Sequence, residues 1–216
     1  MVDGHRLRAA CGFLGPSAFT AAWVVGTMRQ PGYSIANEHI SGLAARDARR
    51  PEVMAAGFVA LGACTVAFAD ELHQRLGGEG RAGPGPLLLG LAGAATIAGG
   101  TLRRDRMSNE PPPDGSGAWQ SAENDLHDLS SVIGQTAGVL GLLLLARRFR
   151  GDPDFGRWSV PAVAAATANA GLMSWFATDV TRPGNGILQR IGISIPLALM
   201  AAMGIRLLRR VPVTEG

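Results

Sequence analysis

The chain has 216 residues, 47% of them hydrophobic and only 17% charged, with a mean hydropathy of +0.16. That is too apolar and too poor in charge for an ordinary soluble domain. The 20 basic residues are all arginine, the net charge is +3, and no basic block is dense enough for nucleic-acid binding.

A helix needs ~20 apolar residues to cross ~30 Å of hydrocarbon. Six runs of that kind occur, at about residues 9–28, 53–72, 86–102, 130–146, 158–176 and 188–207. They predict an all-α integral membrane protein: a six-helix transmembrane bundle with both termini on the same side. Residues 1–216 then form a single polytopic transmembrane domain. His5, Arg6 and Arg8 ahead of the first run give it the look of a signal sequence. The run is longer than the ~7–15 residues of a signal core, so we expect an uncleaved first span.

Cys11 and Cys64 fall inside the first two runs, without C-x-x-C spacing, and read as buried small apolar residues. Glu71 and Arg75, at the close of the second run, predict a solvated i,i+4 ion pair. Gly90, Gly93 and Gly100 thin the third span, and Gly134-x-x-x-Gly138 thins the fourth. Ala162, Ala166 and Ala170 line one face of the fifth. Helices approach closely at such stripes. Trp158 and Trp175 bracket the fifth run, roughly 26 Å apart, as an aromatic belt requires.

Six spans place the first, third and fifth loops on one side. The first (residues 29–52) and the third (103–127) are long, and long structured loops more often carry function than short ones. The third contains a turn-rich stretch from Pro111 to Gly117. Eleven arginines, Arg81 and Arg210 among them, fall on the side of the termini against nine on the other. That bias favours cytoplasmic termini in the cell membrane, although the arginines near Pro51 pull the other way.

Glu123, His127, Ser131 and Gln135 are each four apart and stack on one helix face. Polar groups facing hydrocarbon cost roughly several kcal/mol each unless paired, so this stripe should face protein or a wet cavity. Ionisable groups in such places are candidates for function. His127 is the candidate acid–base group, with Asp125 or Glu123 as its carboxylate. The plain alternative is a helix-start histidine bonded to a carboxylate or a neighbouring loop.

Glu38 and Ser41 join the catalytic candidates. If residues 37–46 are helical, the two share a face and approach His127 from the same side of the membrane. Otherwise Ser34 or Asn37 caps a short interfacial helix with Glu38 as its first-turn acid. Asp105, Asp179, Arg182, Arg190 and Gln135 are the ligand-binding candidates. Arg190 either snorkels, pairs with Asp105, Asp125 or Asp179, or grips a phosphate or carboxylate bidentately. A structural ion pair between loops accounts for the same residues.

The histidines are not disposed for haem or for a metal set, so no cofactor and no metal are expected. Membrane lipids are the expected partners, with a second copy or another membrane protein as further candidates. Two functions stay open. One is a multi-pass protein of unassigned activity whose polar pocket, on the non-cytoplasmic face, binds a lipid or other amphiphile. The other is a membrane-embedded lipid- or isoprenoid-modifying enzyme using His127 with a carboxylate.

Several short motifs recur in a recognisable order. Gly15-Pro16, Phe19, Trp23 and Gly26 are followed by Pro31-Gly32-Tyr33-Ser34 and Ile40-Ser41-x-Leu43-Ala44-Ala45. Asp105, Asp125-x-His127 and Gly186-Ile187-Leu188-Gln189-Arg190-Ile191 complete the set. Their order and spacing resemble the six-span bacterial and archaeal membrane family catalogued as domain of unknown function 998. The resemblance implies a fold of six helices and no settled activity. Where that family leads one to expect a Phe-Pro-like turn, this chain reads Leu102-Arg103-Arg104-Asp105.

Overall fold

A computed structural model of the chain describes residues 4–77, 83–108 and 120–210. The Pro111–Gly117 stretch, Arg81 and the Arg210 side chain lie outside what is described. Six helices run in order: α1 (Gly4–Arg29), α2 (Pro51–Leu76), α3 (Gly85–Thr101), α4 (Ala122–Phe149), α5 (Ser159–Thr178) and α6 (Asn185–Arg210). Two 3-10 turns, Ile40–Ala44 and Gly156–Trp158, interrupt the loops, and there is no strand among the described residues. Five of the helices are long and apolar enough to cross a membrane, and α3 is a shorter apolar helix of 17 residues.

The helix starts follow local chemistry. Pro51 opens α2 and Pro86 sits in the first turn of α3, where a missing N–H costs nothing. Ser121 caps α4, its Oγ accepting the Asn124 N–H at 3.2 Å. That cap starts α4 before the apolar run begins, so Glu123 to His127 already belong to the helix.

Each helix packs on its sequence neighbours, and α6 packs back on α1, closing a ring. Small residues set the spacing. A Cβ added to Gly62 of α2 would lie 2.5 Å from the Gly93 carbonyl of α3, and one on Gly93 would lie 2.7 Å from that of Gly62. The two backbones therefore touch. Gly12 and Gly204 meet in the same way where α1 joins α6. Gly134 and Gly138 face Ala95 and Ala92 of α3.

Two apolar clusters fill the interior. Phe68, Leu72, Leu145, Phe149 and Met203 pack near the termini, and Phe19, Met54 and Leu61 pack with Ile40 and Leu43 near the odd-numbered loops. Outside, Leu126, Leu129, Val132 and Leu140 of α4 are exposed. An apolar outer face of this kind suits a hydrocarbon solvent.

The start of α1 and the end of α6 lie at one end of the ring, where one expectation needs correcting. Glu71 is not solvated but fully buried, at 0% exposure. Arg75 Nε lies 2.5 Å from it, and the first turns of α1 cover it with Arg8 (3.3 Å) and His5 (3.0 Å). The i,i+4 spacing identified the pair, but only the docking of α1 could bury it. Cys11 and Cys64 are free and only half-buried, rather than buried as their runs suggested.

Candidate functional site

The first, third and fifth loops meet at the opposite end. After α1 the chain turns through Gly32, whose φ of +75° favours glycine. Two side chains then brace the turn: Ser34 Oγ accepts the Asn37 N–H at 3.3 Å, and Glu38 Oε2 accepts the Ser34 N–H at 2.8 Å. Glu38 is thus turned onto its own loop. The helix expected at 37–46 shrinks to the 3-10 turn Ile40–Ala44, because Ile40, Leu43 and Ala44 sink into the apolar cluster instead of lying on an interface. Ser41 sits half-buried within that turn.

The start of α6 docks into this loop. A Cβ on Gly186 would lie 2.5 Å from the Ile35 carbonyl oxygen and 2.6 Å from that of Glu38, so only glycine fits. The Ile187 N–H donates to Ala36 O at 3.2 Å, and Gln189 Oε1 accepts the Ile40 N–H at 2.8 Å. Arg190 completes the joint and is 7% exposed. Its Nη1 donates to the carbonyls of Ile35 (3.0 Å), Glu38 (2.8 Å) and Gly186 (2.9 Å). Its Nη2 donates to the Tyr33 hydroxyl at 2.6 Å, which donates on to the His39 carbonyl at 2.8 Å. The Trp23 and Tyr33 rings lie 5.4 and 5.6 Å from the guanidinium carbon.

Of the partners the sequence leaves open for Arg190, the acid is replaced by backbone carbonyls. None of Asp105, Asp125 and Asp179 reaches it among the described residues. Carbonyl dipoles and aromatic faces hold the two terminal nitrogens of this weakly hydrated guanidinium without a counter-charge, while its buried Nε has no hydrogen-bond partner among the described residues. The Pro31–Ser34, Ile40–Ala45 and Gly186–Ile191 motifs are the two sides of this one joint.

The third loop binds the first loop to α4. Arg46 N–H donates to Arg104 O at 2.9 Å, and Met107 N–H donates to Asp47 Oδ1 at 2.7 Å. Asp105 accepts both the Ser121 N–H (2.5 Å) and the Ser121 hydroxyl (2.8 Å). Those bonds, led by the backbone one, hold its carboxyl below the usual aspartate range, with help from Arg46 and Arg104. Glu123 accepts the Arg103 N–H at 2.7 Å and pairs with Arg46. Asp125 points outward and is exposed.

His127 is 1% exposed. Its Nδ1 donates to Leu102 O at 2.9 Å, and its ring meets Phe58 edge-on at 6.4 Å. The partner of Nδ1 is thus a carbonyl at the end of α3, not Asp125 or Glu123. The Leu102–Asp105 segment serves both sides of the joint, its carbonyls holding His127 and the first loop. The inward line of α4 runs through Asn124, His127, Ser130, Ala137 and Gly141, displaced from the four-residue stripe. Ser131 is consequently exposed and returns its hydroxyl to His127 O at 3.1 Å. Gln135 donates to Asn169 Oδ1, and Asn169 donates to Gly192 O at 2.8 Å, tying α4, α5 and α6.

In the fifth loop Asp179 accepts the Thr181 hydroxyl (2.8 Å) and N–H (3.1 Å), which lower its pKa. Arg182 approaches the same carboxylate at 4.0 Å, so both residues shape their own turn. His39 Nε2 donates to Val180 O at 3.2 Å and its ring lies 4.5 Å from that of Phe176, which ties the first loop to the fifth. Burial, and then the guanidinium of Arg104, push its pKa down to about 4. His39 is therefore neutral.

Sequence reasoning missed four contributors: Asn124, Gln189, Tyr33 as a hydroxyl, and Arg104. Asn124 stands three residues before His127 on the same face, and its Oδ1 accepts the Asp105 N–H at 3.1 Å. Gln189 adjoins Arg190, but a glutamine at a span's edge gives no signal of a loop partner. Arg104 is buried, which lowers its pKa against the opposing pull of Asp128.

A closed ring of apolar helices, laced at one end by its loops, defines a multi-pass helical membrane protein. The chain belongs to the family described as Protein of unknown function (DUF998), whose model matches residues 13–206. All the motifs described above fall inside that match. No curated protein and no solved structure matches the chain.

Proposed function

We propose that this protein is a non-catalytic membrane component that binds a lipid or other amphiphile at the end where the odd-numbered loops meet. The whole chain acts as one unit in the cell membrane, with its termini cytoplasmic and the laced end outside. The observation that carries this reading is the use of the polar residues. Arg190, Asp105, Glu123, Glu38 and Asp179 each bind a neighbouring loop or their own turn, so the end is a preformed rigid platform. Rigid platforms bind without a large ordering cost. Membrane lipids are the partners, and a second copy or another membrane protein fits the same exposed apolar sides.

The enzymatic alternative needs a carboxylate on His127 and access for a substrate. The Leu102 carbonyl at 2.9 Å and the burial of the ring favour a positioning role instead. Lipid profiling of cells expressing the His127→Gln variant tests the choice. An unchanged profile at wild-type expression is expected. A missing or accumulated lipid species would restore the enzymatic reading. Native mass spectrometry from nanodiscs tests binding, and retention of no lipid at all would refute it.

A further inference from the structure

An open cleft of about 550 Å³ lies beside the laced end, between the end of α1 and the start of α2. Met28, Arg29, Gln30, Pro31, Arg49 and Arg50 line it. Three arginines thus line one concavity. Arg50 is partly offset by Glu52, 3.5 Å away, whereas no acid pairs with Arg29 or Arg49 among the described residues. The two arms are held together, because Gln30 Oε1 accepts the Arg49 N–H at 2.7 Å. No side chain caps the α2 N-terminus at Arg50, so its positive end also faces this region.

The cleft lies at the end of α1 and the start of α2, two helices long and apolar enough to cross a membrane. Met28 of its lining is 81% exposed, and Val24 one turn below is 38% exposed, giving an apolar track along α1. Cationic side chains above an apolar track match a phosphate head above an acyl chain. We propose that this cleft binds a phosphate group at the membrane surface, gripped by Arg29, Arg49 and Arg50. The proposal deepens the amphiphile-binding reading and rests on it. A phospholipid head group and a free phosphate offer the same chemistry.

The test uses the full-length protein in phosphatidylcholine nanodiscs with or without phosphatidylglycerol, read by native mass spectrometry. Inorganic pyrophosphate, titrated calorimetrically into the phosphatidylcholine discs, forms the second arm. The wild type should retain phosphatidylglycerol preferentially. The R29Q/R49Q/R50Q variant should lose that preference by roughly 100-fold, at about 5-fold per arginine. R147Q/R150Q/R157Q, which changes exposed arginines at the far end, should keep it. If the triple variant does not fold, R29Q/R49Q carries the same expectation at about 25-fold.

Pyrophosphate binding without a phosphatidylglycerol preference would support the site and assign it to a soluble phosphate. Absence of both, or wild-type behaviour of the cleft variants, overturns the proposal. Phosphatidylcholine retained without any phosphate preference overturns the cleft alone, whereas retention of no lipid overturns the broader reading.

Discussion

Replacing Arg190 by lysine keeps the charge and removes the fork. In the wild type, Nη1 serves three carbonyls at 2.8–3.0 Å while Nη2 reaches the Tyr33 hydroxyl, and two rings lie against the guanidinium. One ammonium cannot occupy both nitrogen positions. At least one charge-assisted hydrogen bond is lost, at about 1.5–3 kcal/mol. Loss of the stacked contacts adds about 0.5–2 kcal/mol. A destabilisation of about 2–5 kcal/mol follows, which for a chain of this size lowers Tm by roughly 10 °C. Thermal unfolding in detergent, followed by tryptophan fluorescence, measures it. If Arg190 were held by an acid, lysine would serve nearly as well. A Tm within about 2 °C of wild type would refute the carbonyl-and-ring account.

Gly186→Ala places a methyl against two backbone oxygens at 2.5 and 2.6 Å. It should cost about 3 kcal/mol where alanine ordinarily stabilises a helix, and an unchanged Tm would show that α6 does not dock as described. His39 gives a pH signature. Its pKa is about 4 in the folded chain against 6.5 when unfolded, so it contributes nothing above pH ~6.5. As the pH falls to 4 the unfolded state takes up the proton first, and stability drops by about 3 kcal/mol. His39→Gln should flatten the Tm–pH curve in that window, and an unaltered slope would contradict the buried neutral ring. Glu71→Ala strips the common partner from Arg75, Arg8 and His5 and should cost about 3 kcal/mol. Glu52→Ala, at an exposed pair, should change Tm by under about 2 °C.

The apolar runs by themselves determined six membrane helices with both termini at one end, because a bilayer leaves few other ways to satisfy a backbone. They also placed the odd-numbered loops together, since that follows from counting spans. Helix periodicity placed Glu123, His127, Ser131 and Gln135 in line, but not the direction in which the line points. The packing of α3 and α5 decided that, rolling α4 until Asn124, His127 and Ser130 faced inward and Ser131 faced out.

Partner choice was left open by the chain, a neighbouring loop being one of the two partners it offered His127. Charges suggest acids for Arg190 and a carboxylate for His127, and both residues instead found carbonyls. A backbone carbonyl carries no sequence label, since every residue has one. Which carbonyl is left without a helical partner, and which buried donor meets it, depends on where loops from distant parts of the chain come to rest. The same holds for Glu71, whose ion pair the i,i+4 spacing announced and whose burial only the docking of α1 supplied.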